Sequence, residues 1–181
     1  MLESAGLKPK SVAPDVDERA LEARLATSNP AALAEALASA KAADVARRNP
    51  EHIVIGADQV LVHVGTLLHK PKDRSAAKAQ LMALSGHAHE LISAVAVYRD
   101  TQCLFVKAST AKLTMRVLSE AFVDLYLDKL GGAVLGSVGG YQIEGYGIQL
   151  FDKIEGNHAT ILGLPLLPLL GFLREQGFMV S

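Results

Sequence analysis

The chain has 181 residues, half of them apolar and a fifth charged, which is enough to bury the core of one globular domain. A formal net charge of −1 gives no long-range attraction for polyanions or anionic lipids, so we predict neither a nucleic-acid nor a membrane partner. Cys103 is the only cysteine, which excludes an intrachain disulfide and a thiolate zinc cluster and indicates a reducing, cytoplasmic compartment.

Helix and strand signals follow one another in the first part of the chain. Thr27, Ser28 or Asn29 can cap a helix that begins with proline and runs through AALAEALASAKAADVARR, until the Asn-Pro pair at 49–50 ends it. The next stretch, HIVIGADQVLV, predicts a buried strand with Asp58 at its far, polar end. Functional groups tend to lie at strand ends rather than in the middle of strands.

The rest of the chain predicts two further strands between helices. DRSAAKAQLMALSG predicts a helix that is capped near Asp73 and closed by Gly86. ELISAVAVYRD and QCLFVKASTAKLTMRVL predict a hairpin around 100–101, and SEAFVDLYLDKL predicts a helix capped by Ser119. With a last helix in LPLLPLLGFLREQG, this order predicts an α/β or α+β mixed sheet in one domain, residues 1–181.

Four charged residues stand out: Asp58, the pair Asp17 and Glu18, and Lys70. Each has a functional interpretation and a purely structural alternative. Asp58 follows a buried apolar run, so it must be hydrogen-bonded, paired or metal-bound, or else cap a turn. Asp17 and Glu18 are either a pair of metal-binding carboxylates or the acidic start of a helix, and the second is favoured without further support. Lys70 precedes Pro71, which fixes the backbone and can aim the ammonium at a phosphate; the alternative is a solvated lysine in a turn.

Two other features give weaker signals. His87 and His89 lack a third metal ligand, so we predict that they are turn or hydrogen-bonding residues. The segment 139–147, GGYQIEGYG, matches no Walker loop or dinucleotide-binding fingerprint. It is either a loop that lets the backbone approach a ligand or a bent strand, and it carries one acid, Glu144.

Taken in order, several segments resemble the Maf family of nucleoside triphosphate pyrophosphatases. They are DVDE, AKA around Lys41, IGADQVLV, HKPKD, AQLMALSGHAHELISAVAV, GGYQIEGYGIQLFDKIEGN and ILGLPLLPLL, and they extend from about residue 5 to the C-terminus. The resemblance implies an elongated mixed sheet flanked by helices and a homodimer. It also implies cleavage of a nucleoside triphosphate between its α and β phosphates, with Mg²⁺ or Mn²⁺, to a monophosphate and pyrophosphate.

The same resemblance assigns roles to single residues. The proton acceptor of the family falls on Asp58, its acid near the N-terminus on Glu18, and its lysines on Lys41 and Lys70. These four are the expected catalytic residues, and Glu18 and Asp58 are the expected metal ligands.

The start of the chain departs from the family pattern. Members begin with a strand and a loop of the type LASxSPRR that holds the substrate phosphates, whereas this chain opens with MLESAGLKPK, which resembles the text after that loop. We therefore expect the first strand and the phosphate clamp to be absent. The alternatives to an active enzyme are a catalytically impaired nucleotide-binding remnant and a start codon placed too far downstream.

Two residues point to the base that is recognised. Gln59 after Asp58, together with Glu144 where the common pattern has glutamine, resembles the subgroup that acts on 7-methyl-GTP; Ser137 replaces the lysine of that pattern. A carboxylate only accepts hydrogen bonds and so suits the N1–H and amino group of guanine, while N7 methylation adds a positive charge that it also favours. The alternative is that Glu144 caps a turn or pairs with a lysine.

Overall fold

The computed structural model describes residues 1–25 and 27–180, which form six α-helices and five strands. The helices are α1 (Glu18–Leu25), α2 (Pro30–Arg48), α3 (Arg74–Leu84), α4 (Glu120–Leu130), α5 (His158–Ile161) and α6 (Leu166–Glu175). The strands are β1 (Ile53–His63), β2 (Thr66–Leu68), β3 (Ala88–Arg99), β4 (Gln102–Met115) and β5 (Phe151–Glu155). The strands form one sheet in the order β2-β1-β3-β4-β5. The combination of this sheet with helices confirms the predicted fold class, in which α-helices and β-strands are mixed.

Most predicted helix boundaries are confirmed because the capping side chains act as their sequence position requires. The Asn29 Oδ1 accepts a hydrogen bond from the Ala31 amide at 3.0 Å and so begins α2. Asp73 and Ser119 cap α3 and α4 in the same way, through side-chain oxygens that accept from amides three residues on. The hairpin between β3 and β4 turns at Asp100, which has a φ of 54°.

The strands differ from the sequence-based interpretation at three places. Asp58 lies in the middle of β1 rather than at its end, because β1 continues to His63. The short strands β2 and β5 were not predicted at all. The segment 139–147 is not a bent strand, since most of it lies in 3₁₀ turns with a short extended stretch between them.

The chain divides into two compact units. The first comprises 1–59, 92–109 and the C-terminal part from 157, and the second comprises 60–91 and 110–156. In the first, Val95 and Val97 of β3 are fully buried and belong to one cluster with four residues near the C-terminus: Leu164, Leu169, Phe172 and Leu173. Fully buried leucines from β1, α3, β4 and α4 form the interior of the second. Whether the chain is one domain stays a prediction.

A narrow face of α2 packs against β1 in the first unit. Every fourth residue of α2 is a fully buried alanine: Ala34, Ala38, Ala42 and Ala46. A Cβ at Gly56 would lie 2.6 Å from the Ala38 carbonyl oxygen and 2.7 Å from the Ala42 amide nitrogen. The small side chains on α2 and the missing one on β1 therefore bring the helix and the strand unusually close.

We expect Gly56→Ala to lower the free energy of unfolding by about 3 kcal/mol, because backbone atoms of α2 cannot rotate away from the added methyl group. The matched control is Gly171→Ala in α6, where nothing lies within 4 Å of the added Cβ. It should be neutral or stabilise by up to about 1 kcal/mol. Urea unfolding of both variants measures the difference, and equal midpoints would contradict the close contact.

Candidate functional site

Three of the residues singled out in the sequence meet in the first unit. The Lys41 Nζ lies 2.7 Å from the Glu18 Oε1 and forms a second ion pair with the Asp58 Oδ1. Each side chain comes from a different element: Glu18 begins α1, Lys41 lies on α2 and Asp58 lies on β1. We call these three residues the charged cluster.

Local structure explains why Glu18 stands where it does. The Asp17 Oδ1 accepts a hydrogen bond from the Ala20 amide at 3.0 Å, so Asp17 is a capping residue and the helix-start interpretation of this pair is confirmed. Glu18 is the first residue of α1, where an acid is favoured by the helix dipole. Asp17 makes the capping hydrogen bond, and the carboxylate of Glu18 pairs with Lys41.

The charged cluster runs from a shielded end to a solvent-facing end. The side chain of Asp58 is 9% exposed, that of Lys41 18% and that of Glu18 52%. Burial is the largest single influence on Lys41 and lowers its pKa, but hydrogen bonds and charges from Asp58 and Glu18 together raise the pKa above its ordinary value. The ammonium is therefore protonated at neutral pH, and the cluster carries a formal charge of −1.

The close approach at Gly56 explains how Asp58 is tolerated in mid-strand. Lys41 precedes Ala42, whose backbone and side chain touch the position of Gly56, and Asp58 lies two residues further along β1. Because side chains alternate along a strand, Gly56 and Asp58 face the same side, toward α2. Helix α2 thus places the ammonium of Lys41 beside the carboxylate of Asp58, whose burial without a partner would cost free energy.

Gln59 ties β1 to α5. Its Nε2 donates to the Ser93 Oγ at 2.9 Å and to the carbonyl oxygens of Thr160 and Ile161, each at 3.0 Å. The Ser93 Oγ donates in turn to the Thr160 carbonyl oxygen at 2.7 Å. Ser93 and Thr160 were not predicted, although a lone serine in an apolar strand is a usable signal. Gln59 therefore supports the strand that carries Asp58, and its role toward a base stays a prediction.

A cavity of about 720 Å³ lies in the first unit, and Lys41 is part of its wall. Residues 53–57 of β1 form one side, and parts of the N-terminal segment, including Lys10 and Val12, form another. Ligand sites for small molecules commonly span about 300 to 1,000 Å³. The cavity is thus large enough for a small ligand, which would contact the charged cluster at Lys41.

The second unit holds the other two predicted site residues. Lys70 is exposed between β2 and α3, where the Gln80 Nε2 donates to the neighbouring His69 carbonyl oxygen at 2.9 Å. Glu144 is exposed at the start of the 3₁₀ turn Gly145–Leu150, but its side chain makes no capping hydrogen bond there. The interpretation of Glu144 as a turn cap is therefore wrong.

The glycines of 139–147 serve contacts within the protein. A Cβ at Gly147 would lie 1.7 Å from the Gln142 carbonyl oxygen, and one at Gly139 would lie 2.7 Å from the Leu61 Cδ1. At Gly147 the neighbouring atom belongs to the backbone and leaves no room for a side chain, and at Gly139 the φ of 76° also favours glycine. These two glycines shape the turn that bears Glu144, and they do so through contacts that no local sequence pattern reveals.

The two histidines of SGHAHEL are confirmed as hydrogen-bonding residues. The His87 Nδ1 lies 2.8 Å from the Ser85 carbonyl oxygen, and the His89 Nε2 lies 2.7 Å from the Tyr141 hydroxyl oxygen. His87 is exposed, whereas His89 is 2% exposed.

The carboxylates of the charged cluster fit a divalent cation only in part. Within residues 1–25 and 27–180, no group of three or more His, Cys, Asp or Glu side chains is arranged to hold a metal ion. Glu18 and Asp58 offer two carboxylates, which matches the way Mg²⁺ is held by one or two carboxylates together with substrate phosphates. None of the helices formed by residues 1–25 and 27–180 is long and apolar enough to cross a membrane.

Comparison with known proteins gives a consistent set of relatives. A family model described as Maf-like protein matches residues 1–176. A nucleoside triphosphate pyrophosphatase of Rhodopseudomonas palustris (strain BisB18) is 46% identical over 97% of this chain and 87% of its own length. Two 7-methyl-GTP pyrophosphatases are similar to the same degree: that of Brucella abortus biovar 1 is 47% identical over 97% of this chain and 89% of its own length. The 7-methyl-GTP pyrophosphatase of Rhizobium etli is 49% identical over 98% of this chain and 90% of its own length.

Proposed function

The chain belongs to the Maf family, and we propose that it hydrolyses 7-methyl-GTP to the nucleoside monophosphate and pyrophosphate. The general reaction, hydrolysis of a nucleoside triphosphate, is the one for which its relatives are named. The observation that carries the proposal is the charged cluster, in which a shielded carboxylate and an ammonium lie together beside a cavity.

Asp58 is the proposed proton acceptor. In the proposed reaction, its carboxylate orients and deprotonates a water molecule, which attacks the α phosphorus in line with the departing pyrophosphate. The side chain is 9% exposed, so bulk water competes little for it. The ammonium of Lys41 beside it favours the ionised carboxylate, which is the form that accepts a proton.

The remaining groups balance charge. Lys41 and Lys70 are proposed to neutralise negative charge on the transferring and leaving groups, as cations positioned before the reaction do. Glu18 and Asp58 would hold Mg²⁺ or Mn²⁺, which when bound supplies Lewis-acid polarisation of phosphate oxygens. A cation at these residues also offsets the formal charge of −1 that the charged cluster would otherwise present to a polyanion.

Glu144 is the proposed reader of the base. Glu144 is exposed, and a carboxylate can accept from both the N1–H and the amino group of guanine. Two relatives with comparable identity are named 7-methyl-GTP pyrophosphatases, which supports the choice of base.

Pyrophosphate release from a panel of 7-methyl-GTP, GTP, UTP and dTTP, with Mg²⁺ and with chelator, tests this proposal. We expect kcat/KM for 7-methyl-GTP to exceed that for UTP by at least about tenfold, and we expect chelator to abolish turnover. Equal values across the panel would contradict the base assignment. Nucleotide binding without any pyrophosphate release would contradict the proposed enzyme.

A further inference from the structure

A buried polar pair anchors the segment that carries Glu144. The Tyr141 hydroxyl oxygen lies 2.7 Å from the His89 Nε2, and the two side chains are 4% and 2% exposed. Tyr141 belongs to GGYQIEGYG, whereas His89 lies on β3, 52 residues earlier. The ring of Phe151 packs edge-on against Tyr141, with 5.1 Å between ring centroids. The pair thus fastens the glycine-rich segment to the sheet.

The direction of Glu144 follows from this anchor. Tyr141 and Ile143 are buried, while Gln142 and Glu144 are exposed. Burial thus alternates along these four residues, so the exposed side of the segment bears Glu144 while the opposite side is held in the interior through Tyr141. A second bond, from the Gln142 amide to the Tyr126 hydroxyl oxygen at 3.2 Å, holds the same stretch from α4.

Burying the polar side chain of His89 at this position costs free energy. Its Nδ1 is buried and has no hydrogen-bond partner among the described residues. Burial, with a smaller contribution from the charge of His63, lowers the pKa of His89 to about 4, so the ring is neutral at pH 7. An apolar side chain would fill the volume without leaving a polar nitrogen unsatisfied. What the histidine adds is one directional bond, to the hydroxyl group of Tyr141.

We propose that His89 and Tyr141 are positioning residues, which hold Glu144 in the orientation that selects the base; this role rests on the proposed function above. The two residues act through the backbone between Tyr141 and Glu144 rather than by touching the nucleotide. We call their hydrogen bond the His89–Tyr141 clamp. Loss of the clamp should loosen the segment and weaken base selection while leaving the phosphate chemistry in place.

Hydrogen exchange of the nucleotide-free protein tests the clamp without any substrate. Tyr141→Phe removes the hydroxyl and keeps the ring, and His89→Leu removes the nitrogen and keeps most of the volume. Both should speed exchange of the amides in 142–150 by about tenfold, which corresponds to about 1.4 kcal/mol, within the net worth of one buried hydrogen bond. His89→Gln, whose amide can reach the hydroxyl, and Tyr146→Phe, which removes a hydroxyl from the same segment, should stay within about twofold of wild type.

Kinetics on two substrates then test the link to selection. In Tyr141→Phe and His89→Leu, the ratio of kcat/KM for 7-methyl-GTP to that for UTP should fall by about tenfold, with KM rather than kcat carrying the change. His89→Gln should restore the ratio. Unchanged exchange in Tyr141→Phe would overturn the clamp, and faster exchange with an unchanged ratio would overturn its positioning role.

The outcomes separate this inference from the proposed function. If wild type shows no preference for 7-methyl-GTP, the base assignment fails, and the exchange measurement still decides whether the clamp exists. If Glu144→Gln changes the ratio but the clamp variants do not, the proposed function stands and the positioning role is overturned. Should His89→Leu fail to fold, Tyr141→Phe alone decides both points.

Discussion

Asp58→Asn is expected to lower kcat for pyrophosphate release by about a thousandfold, because an amide cannot accept the proton of the attacking water. The change is nearly isosteric, and the amide oxygen can still accept a hydrogen bond from Lys41. Lys41 also keeps its ion pair with Glu18, at 2.7 Å. Binding of nucleotide should therefore change much less than turnover, which single-turnover and equilibrium-binding measurements separate.

The matched control for this variant is Asp100→Asn at the turn between β3 and β4. Its φ of 54° is one that asparagine adopts as readily as aspartate, so the turn should persist. Asp100→Asn should show wild-type kcat, and circular dichroism should show that both variants are folded. A kcat for Asp58→Asn within about threefold of wild type would rule out the assigned role.

Glu144→Gln is expected to lower the ratio of kcat/KM for 7-methyl-GTP to that for UTP by about ten- to a hundredfold. A glutamine amide offers one donor and one acceptor, which matches the N3–H and O4 of uracil and leaves a donor facing the donors of guanine. The charge-assisted attraction for the methylated, positively charged ring is lost as well. Turnover at saturating UTP should not fall, because the phosphate chemistry is untouched.

Glu175→Gln, an exposed glutamate at the end of α6, is the control for loss of one negative charge. It should leave the substrate ratio unchanged. An unchanged ratio in Glu144→Gln would remove Glu144 from base selection, whatever the absolute rates.

Local sequence patterns are sufficient to predict a helix cap, because the capping residue and its hydrogen-bond partner are close in sequence. The caps at Asn29, Asp73 and Ser119 each act on amides two or three residues away; the sequence predicts Asp73 and Ser119, and Asn29 as one of three candidates. The strands β2 and β5 have only three and five residues and no clear apolar alternation, so periodicity could not reveal them.

The site depends on contacts between residues that are far apart in the sequence, and residue spacing cannot predict such contacts. The sequence predicts Asp58 at a strand end, where functional groups tend to lie, because nothing near it in the sequence reveals its partner Lys41, 17 residues earlier. The resemblance to a family, not the pattern of residues, linked Glu18 and Lys41 to Asp58. The sequence singles out His89 and the segment 139–147, which contains Tyr141, but the 52 residues between His89 and Tyr141 hide the bond between them.

In the proposed enzyme, Asp58 carries the chemistry and Glu144 selects the base. One experiment separates the two roles: kcat/KM for 7-methyl-GTP and for UTP, measured side by side in wild type, Asp58→Asn and Glu144→Gln. We expect Asp58→Asn to lose activity on both substrates by a similar factor, while Glu144→Gln stays active and shifts its preference toward UTP. Two variants that lose activity in parallel, with the substrate ratio of wild type in both, would contradict these roles.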